Sequence, residues 1–136
     1  MIDDMQKAID QTDYWDARVE KLYCSNFGDD VELTFDEDRT EKQVVFYFRG
    51  CYKVNINHVK GYLKNKPIRE MTFAQIPYFM QSVKAQRIDC EGERFLSFQI
   101  NLFPIDLEIL CTSFQIARQF VRNDEIIIIY QESFEV

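Results

Sequence analysis

The chain predicts a mainly β fold: an antiparallel sandwich, roll or partly closed barrel with one or two short helices. Three observations carry that expectation. Apolar and polar residues alternate with period two over about seven to nine short runs, separated at regular spacing by turn residues. Aromatic residues make up 15% of the chain, with twelve Phe and seven Tyr, and flat rings suit pleated, half-buried surfaces. A length of 136 residues fits one domain, 1–136, with a core of its own.

Asp3 to Asp13 predicts a short helix, because Met5, Ala8 and Ile9 recur at i, i+3, i+4 spacing behind a capping Asp3 or Asp4. From Ala17 the period becomes two. Ala17, Val19, Lys21 and Tyr23 share one face; Arg18, Glu20, Leu22 and Cys24 share the other. "SNFGDD" reads as a turn. Val31, Leu33 and Phe35 form the apolar side of a half-buried strand, and Val44, Phe46 and Phe48 repeat it. Between them "DEDRTEK", which has no glycine, reads as the charged tip of a hairpin.

Tyr52, Val54 and Ile56 predict another strand after Gly50, and "NHVKGYLKNKPIRE" is a polar, basic loop. "MTFAQIPYFMQ" holds at most one helical turn capped by Thr72, since Pro77 removes an N–H and disfavours helix at Ile76. "SVKAQRIDCEGERFLSFQINLF" reads as two strands about the turn Glu91–Gly92, with Leu96, Phe98, Ile100 and Leu102 on one face. Pro104 marks a break or an edge. Leu107, Ile109 and Cys111 form the next strand, and Phe114 and Ile116 follow across Thr112–Ser113. "EIIIIYQ" predicts a strand covered on both faces, or one that docks late.

The net charge of −7 is unevenly spread. Residues 1–41 carry thirteen acids and four bases, residues 42–122 six acids and twelve bases, and residues 123–136 four acids and no base. Such asymmetry either marks an interaction surface or pairs internally on folding. No run approaches the ~20 apolar residues of a membrane span. The acidic, polar start is unlike a signal peptide, so a cytoplasmic protein is expected. Cys24, Cys51, Cys90 and Cys111 stand singly beside apolar runs and read as buried free thiols.

Catalytic material is sparse. His58 is the sole histidine, and "NINHVKGYL" offers it no orienting partner. Asp106 and Glu108 lie two apart on a predicted strand, so their carboxylates share a face, but Leu107 and Ile109 put that face in water. "DEDRTEK" lacks the glycine of a calcium loop, and no metal or cofactor is expected. Arg49, Lys53, Lys60, Lys64, Lys66 and Arg69, interleaved with Tyr52 and Tyr62, would suit a phosphate backbone. A pI near 4.7 is the reverse of a nucleic-acid binder's charge, so no nucleic-acid partner is expected.

"DYWDARVEKLYC", "QVVFYFRGCYKVNI", "MTFAQIPYFMQ" and "LSFQINLFPIDLEILC" together resemble a family of small cytosolic bacterial proteins. These are similar to the immunity proteins found beside cell-wall-associated polymorphic toxins of the WapA type. The resemblance runs from about Asp13 to Ile116 and lies in the strand-and-turn pattern and in "AQIPYF". It implies a β-rich fold, no enzymatic activity and a surface that binds a toxin. Toxins that act on nucleic acids are often basic, and an acidic inhibitor gains association rate by steering. The expected partner is therefore a protein, with a basic toxin domain as the leading candidate. The expected contact residues are Asp29, Asp30, Asp36, Glu37, Asp38 and Glu41, against the simpler reading of a solvated hairpin tip. A homodimer is a further expectation, since edge strands and "IIIIY" invite pairing. The alternative function is a small ligand-binding or enzymatic β-barrel, using Asp106, Glu108 or His58 in an aromatic-lined pocket.

Overall fold

The computed structural model describes residues 3–37, 42–59 and 66–136. Helix α1 (Asp4–Asp10) precedes strands β1 (Val19–Ser25), β2 (Asp30–Asp36), β3 (Lys42–His58), β4 (Ser82–Cys90), β5 (Glu93–Leu102), β6 (Ile105–Arg122) and β7 (Glu125–Glu135). They form one antiparallel sheet in the order β1-β2-β3-β6-β5-β4, with β7 also paired to β6. Single 3₁₀ turns lie at Asn26–Gly28, Ile68–Glu70 and Phe73–Gln75.

The long strands β3 and β6 are the spine, paired from Lys42 with Phe120 to His58 with Ile105. Their neighbours each cover half. β2 lies along Gln43–Arg49 of β3. On β6, β5 occupies Ile105–Cys111 and β7 occupies Ser113–Arg122. Where the halves meet, Gly50 has φ +61°, and a Cβ there would stand 2.2 Å from Thr112 Oγ1. Only a residue without a side chain fits both demands. The β3–β6 register slips between Cys51 and Lys53. The buried positions of β6 change phase from Leu107, Ile109 and Cys111 to Phe114 and Ile116. The shift of phase keeps both halves turned toward one core.

That core is aromatic. The Phe114 ring meets Phe98, Phe48 and Phe46 at centroid distances of 4.6, 5.1 and 5.4 Å. Each large apolar side chain so buried contributes about 1.5–3 kcal/mol. Helix α1 adds Met5, Ala8 and Ile9 to the same cluster. Its N-cap Asp3 accepts the Met5 N–H at 2.7 Å, as the sequence predicts.

The helix also guards an edge. Gln6 Nε2 donates to the Val83 carbonyl (2.9 Å), while Gln6 Oε1 accepts the Ala85 N–H (2.7 Å). The Tyr14 hydroxyl accepts the Val83 N–H at 2.9 Å. At the far side of the sheet, Val19 N–H donates to the Tyr78 carbonyl and Met80 N–H to that of Ala17. The sheet therefore rolls its ends toward each other through residues 78–80, without closing into a barrel.

Several expectations change. Gly50 and Thr112–Ser113 are not breaks, because β3 and β6 run straight through them. Tyr52 and Ile56 are exposed beyond the bend and do not bury with Val54. In β1 a register shift between Val19 and Lys21 brings Leu22 to the core beside Val19, mixing the two faces read by simple alternation. All four cysteines are free, but only Cys111 is buried and Cys24 is exposed. The tail strand is not covered: Ile126 to Tyr130 are exposed, from 63% at Ile126 to 47% at Tyr130. The hairpins β4–β5 and β6–β7 turn on Glu91–Gly92 and Asn123–Asp124, each with positive φ at both central residues, the I′ geometry that suits strand twist.

Candidate functional site

A cleft of about 650 Å³ lies where the end of α1 meets β1 and the β2–β3 hairpin. Among the described residues five carboxylates line it: Asp13, Asp16, Glu20, Asp36 and Glu37. Two guanidinium groups, Arg18 and Arg118, face them. Both are occupied by the fold. Arg18 Nη1 donates to the carbonyls of Ile76 (3.0 Å) and Ala74 (3.2 Å), and the group lies 4.8 Å over the Phe79 ring. Arg118 Nη2 donates to the Gln11 carbonyl (3.0 Å), and its Nη1 stands 3.7 Å from Glu37. The cations hold the walls, and the exposed Asp13 and Asp16 set the sign of the mouth.

Local backbone puts an aromatic ring at that mouth. Asp13 and Asp16 have φ of 53° and 62°, a left-handed conformation that aspartate tolerates better than most residues. The two bends bracket Tyr14 and Trp15. Tyr14 is buried, and Trp15, stacked on it at 4.3 Å, remains 50% exposed. Trp15 thus presents half of its ring to solvent beside carboxylates while stacked on a buried tyrosine.

Glu20 lies deeper. Burial pushes its carboxyl above the usual glutamate range and the nearby Asp36 pushes it the same way, while the hydrogen bond from Gln43 opposes both. Gln119 Nε2 donates to Gln43 Oε1 at 3.1 Å, so an amide relay ends on Glu20. Asp36 is fixed by accepting the Arg18 N–H at 3.0 Å.

The acids singled out from sequence divide between two places. Asp36 and Glu37 join the cleft. Asp38 and Glu41 lie outside the described residues, as do Lys60, Tyr62 and Lys64. Asp29 and Asp30 sit at the other end of β2, about 20 Å away at some 3.3 Å per extended residue. There Asp30 pairs with Arg49 (3.4 Å) and accepts from Asn26 (2.6 Å), next to the exposed Phe27. Among the described residues the ion pairs Asp3–Arg87, Asp30–Arg49 and Glu37–Arg118 join the acidic first segment to the basic middle, so part of the charge asymmetry is internal. Asp13, Asp16 and Trp15 were missed by charge counting, although "DYWD" places an exposed ring between two turn-forming acids.

The remaining candidates do not converge. His58 is exposed at the end of β3. Asp106 and Glu108 lie in a shallow hollow with Asn57, Ser82, Lys84 and Gln99, where Lys53 Nζ reaches Glu108 at 2.6 Å. No aromatic ring lines that hollow among the described residues. Among the described residues no group of three His, Cys, Asp or Glu side chains gathers as metal ligands. Likewise no described helix is long and apolar enough to cross a membrane.

No curated protein matches the chain. A family model does, over residues 1–118, which covers α1, the acidic cleft and every strand up to most of β6. With its fold and its acidic cleft already defined by the structure, the chain belongs to the family described as Immunity protein PIM7.

Proposed function

We propose that this chain neutralises a toxin as a non-enzymatic inhibitor, pressing the acidic cleft and Trp15 against a basic face of the toxin domain. Membership of an immunity-protein family supports toxin neutralisation. The observation that carries the finer reading is the convergence of Asp13, Asp16, Glu20, Asp36 and Glu37 around the half-exposed Trp15. Carboxylates at the mouth raise the encounter rate with a cationic surface. A rigid tryptophan supplies the area that slows release. Asp38 and Glu41, near Asp36 in sequence, remain proposed contact residues. Asp29 and Asp30, beside Phe27, serve only a partner broad enough to span both ends of β2. The same reading places the protein in the bacterial cytoplasm, where such a toxin would act.

The test is binding kinetics with a basic toxin domain, sought first among the genes neighbouring this one. Asp13→Asn with Asp16→Asn keeps residues that tolerate the left-handed backbone, and it should slow association and flatten the salt dependence. Trp15→Ala should speed dissociation, with a loss of about 2 kcal/mol or more. Unchanged rates and an unchanged salt slope in both variants would remove the cleft from the interface.

A further inference from the structure

We infer that the outer edge of β7, over Glu125–Tyr130, accepts an extended basic segment of the toxin as an additional strand of the sheet. This inference rests on the toxin-binding reading above. β7 pairs with β6 on one side, regularly over Glu125–Ile128 and with Ile129 as the extra residue of a register shift before Tyr130, and no described strand pairs with the other side. Its residues Ile126, Ile127, Ile128, Ile129 and Tyr130 are exposed on both faces of the strand. A bare edge flanked by aliphatic side chains is a template for strand addition: backbone groups supply the hydrogen bonds and the side chains on both faces supply apolar contact.

Charge and position select the occupant. Residues 123–136 hold Asp124, Glu125, Glu132 and Glu135 and no base, so acids bracket the apolar stretch. A second copy laid antiparallel about Ile128 would bring Glu132 against Asp124 at both ends, which like-charge repulsion opposes. A segment with aliphatic residues between lysines or arginines meets the apolar centre and both acidic flanks. The edge also adjoins the cleft. Tyr130 pairs across from Arg118, which lines the cleft, and Ile127 pairs with Phe120, which pairs in turn with Lys42 at the β2–β3 hairpin. One basic partner can therefore touch both. β7 lies beyond the residues that the family model matches.

The probe is a nine-residue peptide of alternating valine and threonine with two lysines at each end, compared with the same peptide carrying glutamates instead. Hydrogen exchange of the full chain is read amide by amide. The lysine peptide should slow exchange across residues 126–130 and leave Val83 and Ala85 on β4 unchanged, and the glutamate peptide should bind about tenfold more weakly or worse. Ile127→Lys with Ile129→Lys, checked by circular dichroism to be folded, should weaken the lysine peptide by a similar factor, and Ile127→Thr with Ile129→Thr should weaken it less. Equal protection by both peptides, or protection by neither, overturns the inference. So does a concentration-dependent dimer in sedimentation that the lysine variant dissociates, since the edge then belongs to a second copy. If the peptides fail while the toxin still binds with a salt slope that Asp13→Asn and Asp16→Asn flatten, only this inference falls. If the toxin itself does not bind the chain, the proposed function falls, and with it the assignment of this edge to a toxin strand.

Discussion

The outer edges of β4 and β7 carry the same backbone chemistry and are treated in opposite ways. Along β4, the Gln6 amide donates to one carbonyl and accepts one N–H, as a neighbouring strand would, and the Tyr14 hydroxyl takes a third group. Along β7, five consecutive apolar residues stand exposed beside an edge with no strand on it among the described residues. Sheet edges left uncovered by a helix or loop are sites of association, and here the register shift at Ile129 leaves Glu125–Ile128 as the regular part of the edge. A fold that covers one edge with three specific hydrogen bonds has the means to cover both. The uncovered edge is therefore where a partner strand is expected.

The comparison can be broken or sharpened by four experiments. Phe114→Ala removes a ring that touches Phe98 on the β4 side and Phe134 on β7 (6.2 Å), so both arms should loosen together. Chemical denaturation should register a loss of about 3–5 kcal/mol. A loss confined to one arm in hydrogen exchange would separate the two halves energetically. Tyr14→Phe keeps the stacked ring but leaves the Val83 N–H without its acceptor, at a cost of about 1–3 kcal/mol. Val83 should lose exchange protection while β7 amides do not change.

Acid should act on the guarded edge next. The Arg87 hydrogen bond, with help from the Met5 N–H, holds the Asp3 carboxyl below the usual aspartate range. A depressed folded pKa means the stabilisation is present above the unfolded value and is lost as pH falls through the folded one. Below that range α1 should release β4 before β7 changes, and Asp3→Asn should abolish the difference in an exchange series against pH. Last, Ile127→Lys with Ile129→Lys should move unfolding free energy by less than about 0.5 kcal/mol, because these side chains are exposed already. A large loss of melting temperature would mean that the β7 isoleucines support the fold and are not free for a partner.

Alternation made most strands readable because one face of each is buried, as Val31, Leu33 and Phe35 illustrate. It failed where the sheet bends. A bulge and a turn use the same local residues, so Gly50 and Thr112–Ser113 looked like ends. Only the cross-strand pairing of Cys51 with Cys111 and of Arg49 with Ser113 carries the strands onward. The tail failed for another reason: a run such as "IIIIY" has the composition of a buried strand, and exposure depends on whether a neighbour exists. The site was half legible. Asp36 and Glu37 announce themselves by charge, but their convergence with Asp13 and Asp16 depends on two left-handed residues and on β1 lying beside β2. Asp29 and Asp30, close to them in sequence, are far away because β2 is extended.

Gly50 has a consequence for the relatives of this chain. The bend depends on an atom that is missing: Thr112 Oγ1 occupies the space a Cβ at position 50 would need. Substitution at one position therefore sets the cost of substitution at the other. A homologue that keeps threonine at 112 should keep glycine at 50, and one with alanine at 50 should carry a smaller residue at 112 and still bear the strain of a side chain at φ +61°. The two positions should covary across an alignment, although they lie far apart in sequence and neither touches the acidic cleft.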